Sequence, residues 1–266
     1  MSKLAIITIT YNAIESIERT MRSVLGQEYK DYEYVIVDGG STDGTVEIIK
    51  KYEGRFRVKG ILFRYISEKD DGIYDAMNKG IGMVSKDSEW ITFLNADDHY
   101  CDKYVLQDVF TKYDLSEIDC IYGDAIIKRE NGQRYRKKAC PIETINYKVP
   151  FVHQSLFADR KWIGQNPFSN RWKLAADYEQ WVRIYLAGGR FKRIARNIVV
   201  YDVAGTSGRR FKEYVQEMLR IQEEYGLTSN YRMHRLIRNY IILELKENKI
   251  IYCLYALCNR VGGYRK

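Results

Sequence analysis

Leu4–Thr10 is a continuous apolar and β-branched run, the pattern of a strand buried on both faces. Tyr11-Asn12 make a turn. From Ala13 to Gly26 the spacing becomes helical, with Ile14, Ile17, Met21, Val24 and Leu25 on one stripe. The alternation then repeats. The strand Tyr34–Val37 precedes a helix over Val46–Tyr52, Ile61–Ser67 precedes Ile73–Val84, and Trp90–Leu94 is a fourth strand. A β-α-β-α-β-α-β order with short loops predicts a parallel sheet with right-handed crossovers. Downstream, the pattern predicts a helix over Asp102–Tyr113 and a hairpin of Cys120–Lys128 and Arg134–Ala139 around Asn131-Gly132. A helix over Asp177–Leu186 follows, stopped at Gly188-Gly189, and Phe191–Tyr201 is a last strand or pair. From Phe211 the spacing is helical again, with a break at Tyr225-Gly226.

Composition narrows the class. The 266 residues are 45% hydrophobic, enough for one large α/β domain and far from a disordered chain. The net charge of +8 is concentrated in residues 210–266, where Arg232, Arg235, Arg238, Lys246 and Lys249 recur among Ile, Leu and Tyr. That suits an amphipathic helix on an anionic membrane surface; the alternative is a helix packed on the catalytic domain or on a dimer mate. No nucleic-acid-binding signature accompanies the charge. Five scattered cysteines without metal-ligand spacing read as reduced thiols of a cytoplasmic protein. No secretory leader is expected at the N-terminus, and no run reaches the ~20 apolar residues of a spanning helix.

The chemistry lies where the strands end. Trp90–Leu94 runs into Asn95-Ala96-Asp97-Asp98, the second strand into Asp38-Gly39-Gly40-Ser41-Thr42-Asp43-Gly44-Thr45, and the third into Glu68-Lys69-Asp70-Asp71-Gly72. Each alone reads as a turn or a helix cap. Together they deliver carboxylates to one edge of one sheet, where ligands of open α/β folds bind. Such crowding is relieved by a cation and by hydrogen-bond donors on a ligand. A metal-bridged nucleoside diphosphate supplies both, and Mg²⁺ is usually held by one or two carboxylates plus substrate phosphates. The first turn, Thr10-Tyr11-Asn12-Ala13, contains neither a dinucleotide fingerprint nor a P-loop.

These segments, with Ile7-Thr8-Ile9-Thr10-Tyr11-Asn12 and Ile73-Tyr74-Asp75-Ala76-Met77-Asn78-Lys79-Gly80, resemble the family 2 glycosyltransferases of bacterial capsule, exopolysaccharide and O-antigen synthesis. The resemblance is specific over residues 4–98 and extends more weakly to about residue 205. It implies a GT-A fold: a single α/β domain with a mainly parallel doubly wound sheet, plus a C-terminal helical extension. The catalytic domain would span residues 1–209, with a nucleotide-binding half at 1–100 and an acceptor half at 101–209, and the basic extension residues 210–266. It also implies an inverting transferase using a nucleotide sugar, commonly a UDP-sugar, with Mg²⁺ or Mn²⁺, and a glycan or lipid-linked glycan as acceptor.

Position by position, the resemblance puts Thr8, Tyr11, Asp38, Asp70, Asn78, Asn95 and Ala96 around the nucleotide. Asp97 becomes the metal ligand, and Asp98 either a second ligand or a cap. Asn95 stands where many members carry an acid. Leu174-Ala175-Ala176-Asp177-Tyr178-Glu179 matches the segment holding the general base, with Asp177 at that position. A helix N-terminus there would favour its ionised form. His153, in His153-Gln154-Ser155, would line the donor sugar and diphosphate, or serve as a satisfied core histidine. Arg209 and Arg210 would close over the diphosphate, or sit in a solvated linker. Two rival classes remain: a nucleotidyltransferase, which needs a first loop rich in Gly and basic residues, and a non-catalytic membrane-associated binding module. A processive synthase is disfavoured, since spanning helices and a Gln-x-x-Arg-Trp element are missing.

Overall fold

The structure is a computed structural model and describes residues 4–129, 131–202 and 210–227. The first half alternates as its periodicity requires: β1 (Leu4–Thr10), α1 (Ile17–Leu25), β2 (Tyr32–Asp38), α2 (Thr45–Val58), β3 (Leu62–Ser67), α3 (Ile73–Met83) and β4 (Trp90–Phe93). The second half holds β5 (His99–Tyr100), α4 (Val105–Thr111), β6 (Cys120–Lys128), β7 (Arg134–Lys137), β8 (Leu156–Asp159), α5 (Arg160–Gln165), α6 (Ala176–Leu186), β9 (Phe191–Asp202) and α7 (Phe211–Glu224).

These strands form one sheet in the order β3-β2-β1-β4-β8-β6-β9-β5, with β7 paired to β6. Strands β3, β2, β1 and β4 are parallel, as expected. Beyond β4 the sheet is mixed: β8 runs antiparallel to both β4 and β6, whereas β9 is parallel to β6. The β6–β7 hairpin forms where Asn131-Gly132 predicted it.

Alternate residues of each strand face opposite layers. Ala5, Ile7 and Ile9 join Tyr74 and Met77 of α3, Trp181 and Val182 of α6 and Met218 and Ile221 of α7 in one core. Leu4 and Ile6 join Ile17 and Met21 of α1, Ile49 and Phe56 of α2 and Val105 of α4 in the other. With helices on both faces, the β1, β2 and β4 strands are buried throughout, which is why they read as unbroken apolar runs.

Register decides where the chemistry sits. Thr10 of β1 lies opposite Asp38 of β2, and Asp38 opposite Ser67 of β3. The amides of Leu94 and Ala96 bond Ile7 and Ile9, so the chain leaving β4 stays at the same level. All four parallel strands therefore release their loops along one edge.

Three helix boundaries differ from the periodic reading. Ile14 does not join the stripe of α1, because residues 11–14 are held out as a loop by bonds to the 41–45 segment. Helix α2 runs on to Val58, and α4 begins only at Val105. The start of the C-terminal extension packs on α6: Gln222 Nε2 donates to the Tyr178 hydroxyl at 2.9 Å, and the Tyr225 hydroxyl to Glu179 at 2.5 Å. The rest of it, with Arg232, Arg235, Arg238, Lys246 and Lys249, lies outside the described residues. Among the described residues no helix is long and apolar enough to cross a membrane.

Helix α3 lies close on β1 because residue 80 has no side chain. A Cβ there would stand 2.6 Å from Ile7 Cγ2. Gly80→Val should therefore lift α3 and destabilise the fold by about 2 kcal/mol, the range of core overpacking, as a lower denaturation midpoint in urea. An unchanged midpoint would mean that α3 is not wedged on β1.

Candidate active site

Two loops of the rim are laced together by side chains of the motifs that drew attention in the sequence. The Asn12 amide donates to Ser41 Oγ at 2.7 Å, Ala13 to Thr45 Oγ1 at 2.9 Å and Ile14 to Asp43 Oδ2 at 3.0 Å. In return the Thr42 amide donates to Asn12 Oδ1 at 3.0 Å. Asp43 also accepts the amide and hydroxyl of Thr45, and the hydroxyl bond is the main cause holding its carboxyl below the usual range. Gly44 permits the final turn: it sits at φ 100°, and a Cβ there would meet Ile14 Cδ1 at 2.8 Å.

Asp38 organises the second loop from within. Its carboxylate is fully buried and accepts the amides of Gly40 (3.1 Å) and Ser41 (2.9 Å) and the hydroxyls of Ser67 (2.7 Å) and Ser41 (2.5 Å). The sequence placed it against a base or ribose, but four internal donors occupy it instead. Tyr11 and Asp70, by contrast, meet at the mouth of the rim. A Cβ on Gly39 would stand 2.6 Å from Asp70 Oδ2 and 3.3 Å from Tyr11 Cδ2. Gly39 is thus the floor between an aromatic ring that is 66% exposed and a carboxylate whose Oδ1 accepts the Gly72 amide.

The loop after β4 divides sharply. Thr8, expected beside the nucleotide, is fully buried: its hydroxyl donates to the Leu94 carbonyl at 2.6 Å and accepts from Tyr34. Ala96 is also structural, its amide bonded to Ile9 and its carbonyl 2.6 Å from the Thr20 hydroxyl. The same hydroxyl lies 2.6 Å from the Asp98 carbonyl, and Arg19 donates to the Asp97 carbonyl at 2.8 Å, so α1 fixes this loop's backbone. Asp98 Oδ1 accepts the Asp202 amide at 3.0 Å, and burial, above all, pushes its carboxyl well up. Its first role is therefore to tie the loop to β9. Asp97 is exposed, with no hydrogen-bond partner for its carboxylate among the described residues, and the neighbouring Asn95 Oδ1 is shielded and unpartnered.

A free carboxylate beside an unpartnered amide oxygen is the oxygen-donor chemistry that Mg²⁺ and Mn²⁺ prefer. No group of three or more acidic, His or Cys side chains with metal-holding geometry occurs among the described residues. An ion shared with a substrate diphosphate would meet Asp97 as the exposed carboxylate of this loop.

Asp177 lies at the start of α6, half-buried, and Oδ1 accepts the Tyr178 amide at 2.8 Å and the Tyr74 hydroxyl at 3.1 Å. Tyr74 comes from α3, directly after the Asp70 loop, so this bond connects the two halves of the domain. The helix N-terminus was expected to keep the acid ionised. Burial outweighs it and raises the carboxyl to about 6. Tyr74 and Glu217 are two residues of this neighbourhood that sequence reasoning missed. Tyr74 was visible as an aromatic one residue into α3, but nothing local paired it with a residue so far downstream.

Three further candidates have partners or neighbours within the protein. Asn78 turns both ends of its amide to Phe168, donating to its carbonyl and accepting from its amide at 2.9 Å each, so it holds the loop before α6. His153 is buried among Phe93, Trp181 and Phe168, with ring centroids 5.2, 5.5 and 5.9 Å away. Its ring thus packs among core aromatics, the second of the two readings the sequence left open, with both nitrogens unpartnered among the described residues. Arg210 is engaged by Glu213 three residues on, with its Nε 2.9 Å from Oε1. Arg209 lies outside the described residues.

Residues 5–174 match glycosyl transferase family 2. The chain is 30% identical over 183 residues to a PGL/p-HBAD biosynthesis glycosyltransferase of Mycobacterium tuberculosis, covering 68% of this chain and 69% of that one. It is 32% identical over 127 residues to the poly(ribitol-phosphate) beta-N-acetylglucosaminyltransferase TarP of Staphylococcus aureus, covering 46% and 36%. Among solved structures, S. aureus TarS 1-349 in complex with UDP-GlcNAc aligns with a TM-score of 0.65 at 19% identity, over 86% of this chain and 67% of that chain. A Pyrobaculum calidifontis mannosyltransferase in complex with GDP-Man and Mn²⁺ aligns at 0.64 and 16% identity, over 99% and 76%. This chain spans only 39% of a longer TarS chain. The likeness to solved structures establishes the GT-A fold.

Burial pushes the His153 imidazole down from 6.5 to about 3. Between those values the unfolded chain binds a proton that the folded chain refuses, so stability falls with falling pH, by at most about 1.4 kcal/mol per pH unit. Thermal melts from pH 7 to 4 should show a shallower acid decline in His153→Phe than in the unaltered protein. Parallel declines would contradict a neutral, buried imidazole.

Proposed function

The chain belongs to glycosyl transferase family 2, and from that premise we propose that it transfers a sugar from a nucleotide-sugar donor, a UDP-sugar, to an acceptor hydroxyl with inversion at the anomeric carbon. The acceptor is a glycan or lipid-linked glycan of bacterial surface-polysaccharide synthesis. The single observation that carries this reading is the bond from Tyr74 to Asp177, which ties one half-buried carboxyl to the helix that starts directly after the Asp70 loop.

In this reading Tyr11 stacks near the base and Asp70 accepts from base or ribose. Asp177, ionised, accepts the proton of the acceptor hydroxyl as that oxygen bonds to the anomeric carbon. The bond from that carbon to the diphosphate breaks, its electron pair leaves with the nucleoside diphosphate, and no covalent enzyme intermediate forms. A divalent cation held by Asp97, with Asn95 beside it, would offset negative charge on the diphosphate. The Tyr74 hydroxyl orients the base without contacting the sugar.

Support for a UDP-sugar comes from the TarS complex, whose ligand is UDP-GlcNAc. Support for a cation comes from the mannosyltransferase complex, which contains Mn²⁺. Nucleotidyl transfer is disfavoured because the amides of Asn12, Ala13 and Ile14 are bonded to Ser41, Thr45 and Asp43 and cannot grip a triphosphate. Lipid-linked acceptors fit a cytoplasmic enzyme working at the inner membrane face, with the basic residues of the tail as its contact.

With Asp177 near 6, kcat/KM for transfer should fall as pH drops through about 6, where the base takes up its proton, and level off above. Asp177→Asn should lower kcat by about 10²–10⁴-fold with little change in donor KM. Asp97→Ala should remove the Mn²⁺ dependence of UDP binding in calorimetry. A panel of UDP-, GDP- and dTDP-sugars with lipid-linked acceptors tests all three, and no released nucleotide together with wild-type behaviour of both variants would overturn the proposal.

A further inference from the structure

Helix α7 inserts one carboxylate into the backbone just ahead of Asp177. Glu217 Oε2 accepts the amides of Leu174 at 2.8 Å and Ala175 at 3.0 Å, and Oε1 accepts the amide of Lys173 at 3.1 Å. These amides immediately precede α6, whose first residue is Ala176 and whose second is Asp177. No side chain of α6 or its own cap residue performs this service: Ala175, at the cap position, has no side-chain bond to offer. Amides at the start of a helix carry the positive end of its dipole and require an acceptor. Here the acceptor arrives from more than forty residues downstream, since Glu217 and Leu174 are separated by 43 positions.

The surrounding contacts make α7 a fixed arm and not a loose tail. Met218 and Ile221 are buried in the core shared with α6, and Gln222 bonds the Tyr178 hydroxyl, which in turn donates to the Ile145 carbonyl at 2.5 Å. Arg171, at the far end of the same loop, is clamped by Glu224 through two bonds of 2.7 and 2.6 Å. The segment 171–175 is thus held at both ends by α7, and Asp177 follows it directly.

We propose that Glu217 is a positioning residue for Asp177, setting the orientation and the ionisation of the base by neutralising the amides at the head of α6. This rests on the reading of Asp177 as the base. The titratable groups facing Asp177 are Tyr74 from α3 and Tyr214 and Glu217 from α7, with the Tyr178 backbone amide on α6 itself. Arg210 is the cation that senses Glu217. With Glu217 charged, the amides ahead of α6 are satisfied and a second negative charge opposes ionisation of Asp177. With it neutral, the helix N-terminus is free to stabilise the Asp177 carboxylate, and the repulsion is gone. Both changes have the same sign: loss of the Glu217 charge makes Asp177 the stronger acid and the weaker base.

The test uses the full chain and reads Asp177 both directly and through turnover. In Glu217→Gln, the Asp177 side-chain carboxyl carbon, followed by NMR against pH, should titrate about half a unit or more lower than in the unaltered protein. The acid limb of the kcat/KM profile should move down with it. At its plateau, kcat should fall about tenfold or more while donor KM stays put, as expected when a group is misplaced and binding is not. Glu217→Asp, which keeps the charge on a shorter arm, should return the titration toward the original value, and melting temperatures of both variants report whether the fold persists. An unmoved Asp177 titration and an unmoved acid limb in folded Glu217→Gln protein would overturn the positioning role and reduce Glu217 to a structural cap. If Asp177 shifts as expected but Asp177→Asn transfers sugar at the normal rate, the positioning stands and the reading of Asp177 as base fails.

Discussion

Tyr74 and Asp177 stand 103 positions apart, and the bond between them joins the first and second halves of the protein beside the β4–β8 ladder and the Asn78–Phe168 pair. One half is the parallel β3-β2-β1-β4 sheet with its laced loops. The other is the mixed sheet with α6 and α7. In the proposed mechanism the first half contributes exposed oxygen donors and an aromatic ring, and the second a carboxyl with its proton affinity raised. The close seating of α3 on β1, permitted by Gly80, brings the Tyr74 hydroxyl to the register at which it meets α6.

Most polar residues of the strand-end motifs act on the protein itself. Asn12, Ser41, Asp43 and Thr45 satisfy one another's backbones, and Asp38 gathers its own loop around a buried carboxylate. Backbone amides at loops on a sheet edge must find acceptors, and here they find them in side chains of the neighbouring loop. Tyr11 and Asp97 stay exposed at this edge, with Asp70 half-buried and Glu68, Lys69 and Asp71 exposed in the same loop. A rim built this way is rigid before any ligand arrives, which limits the ordering cost of binding. It also removes most of the mutual repulsion that the carboxylates would otherwise suffer, because Asp38 and Asp98 are directed inward onto amide donors.

The sequence made the first half legible because its period switches cleanly between strand and helix, and because Asp38, Asp70 and Asp97 each follow an apolar run. It singled out Tyr11, Asp70 and Asp97, and all three lie in loops that leave the same edge of the sheet. The internal contacts of Thr8, Asn78 and Ala96 were not legible, since a polar residue near a site looks the same in a sequence whether it faces a ligand or a carbonyl behind the strand. Thr8 sits on the inner face of β1 opposite the Leu94 carbonyl, and only the pairing of β1 with β4 reveals that. The same limit hid Glu217, whose partners lie on a loop that local patterning could not connect to α7. Helix α7, at the start of the extension, packs Met218 and Ile221 into the core shared with α6, while the basic residues from Arg232 on lie outside the described residues.

The proposed mechanism is a single displacement assisted by one carboxyl, with no covalent link between sugar and enzyme. The anomeric configuration of the first product formed tests it most directly, read by proton NMR from the coupling constant of the new linkage before the product can equilibrate. Transfer from an α-linked UDP-sugar should give a β-glycoside. An α-glycoside from the same donor would mean that the anomeric carbon is attacked twice or from its front face, and Asp177 could not be acting as the base described.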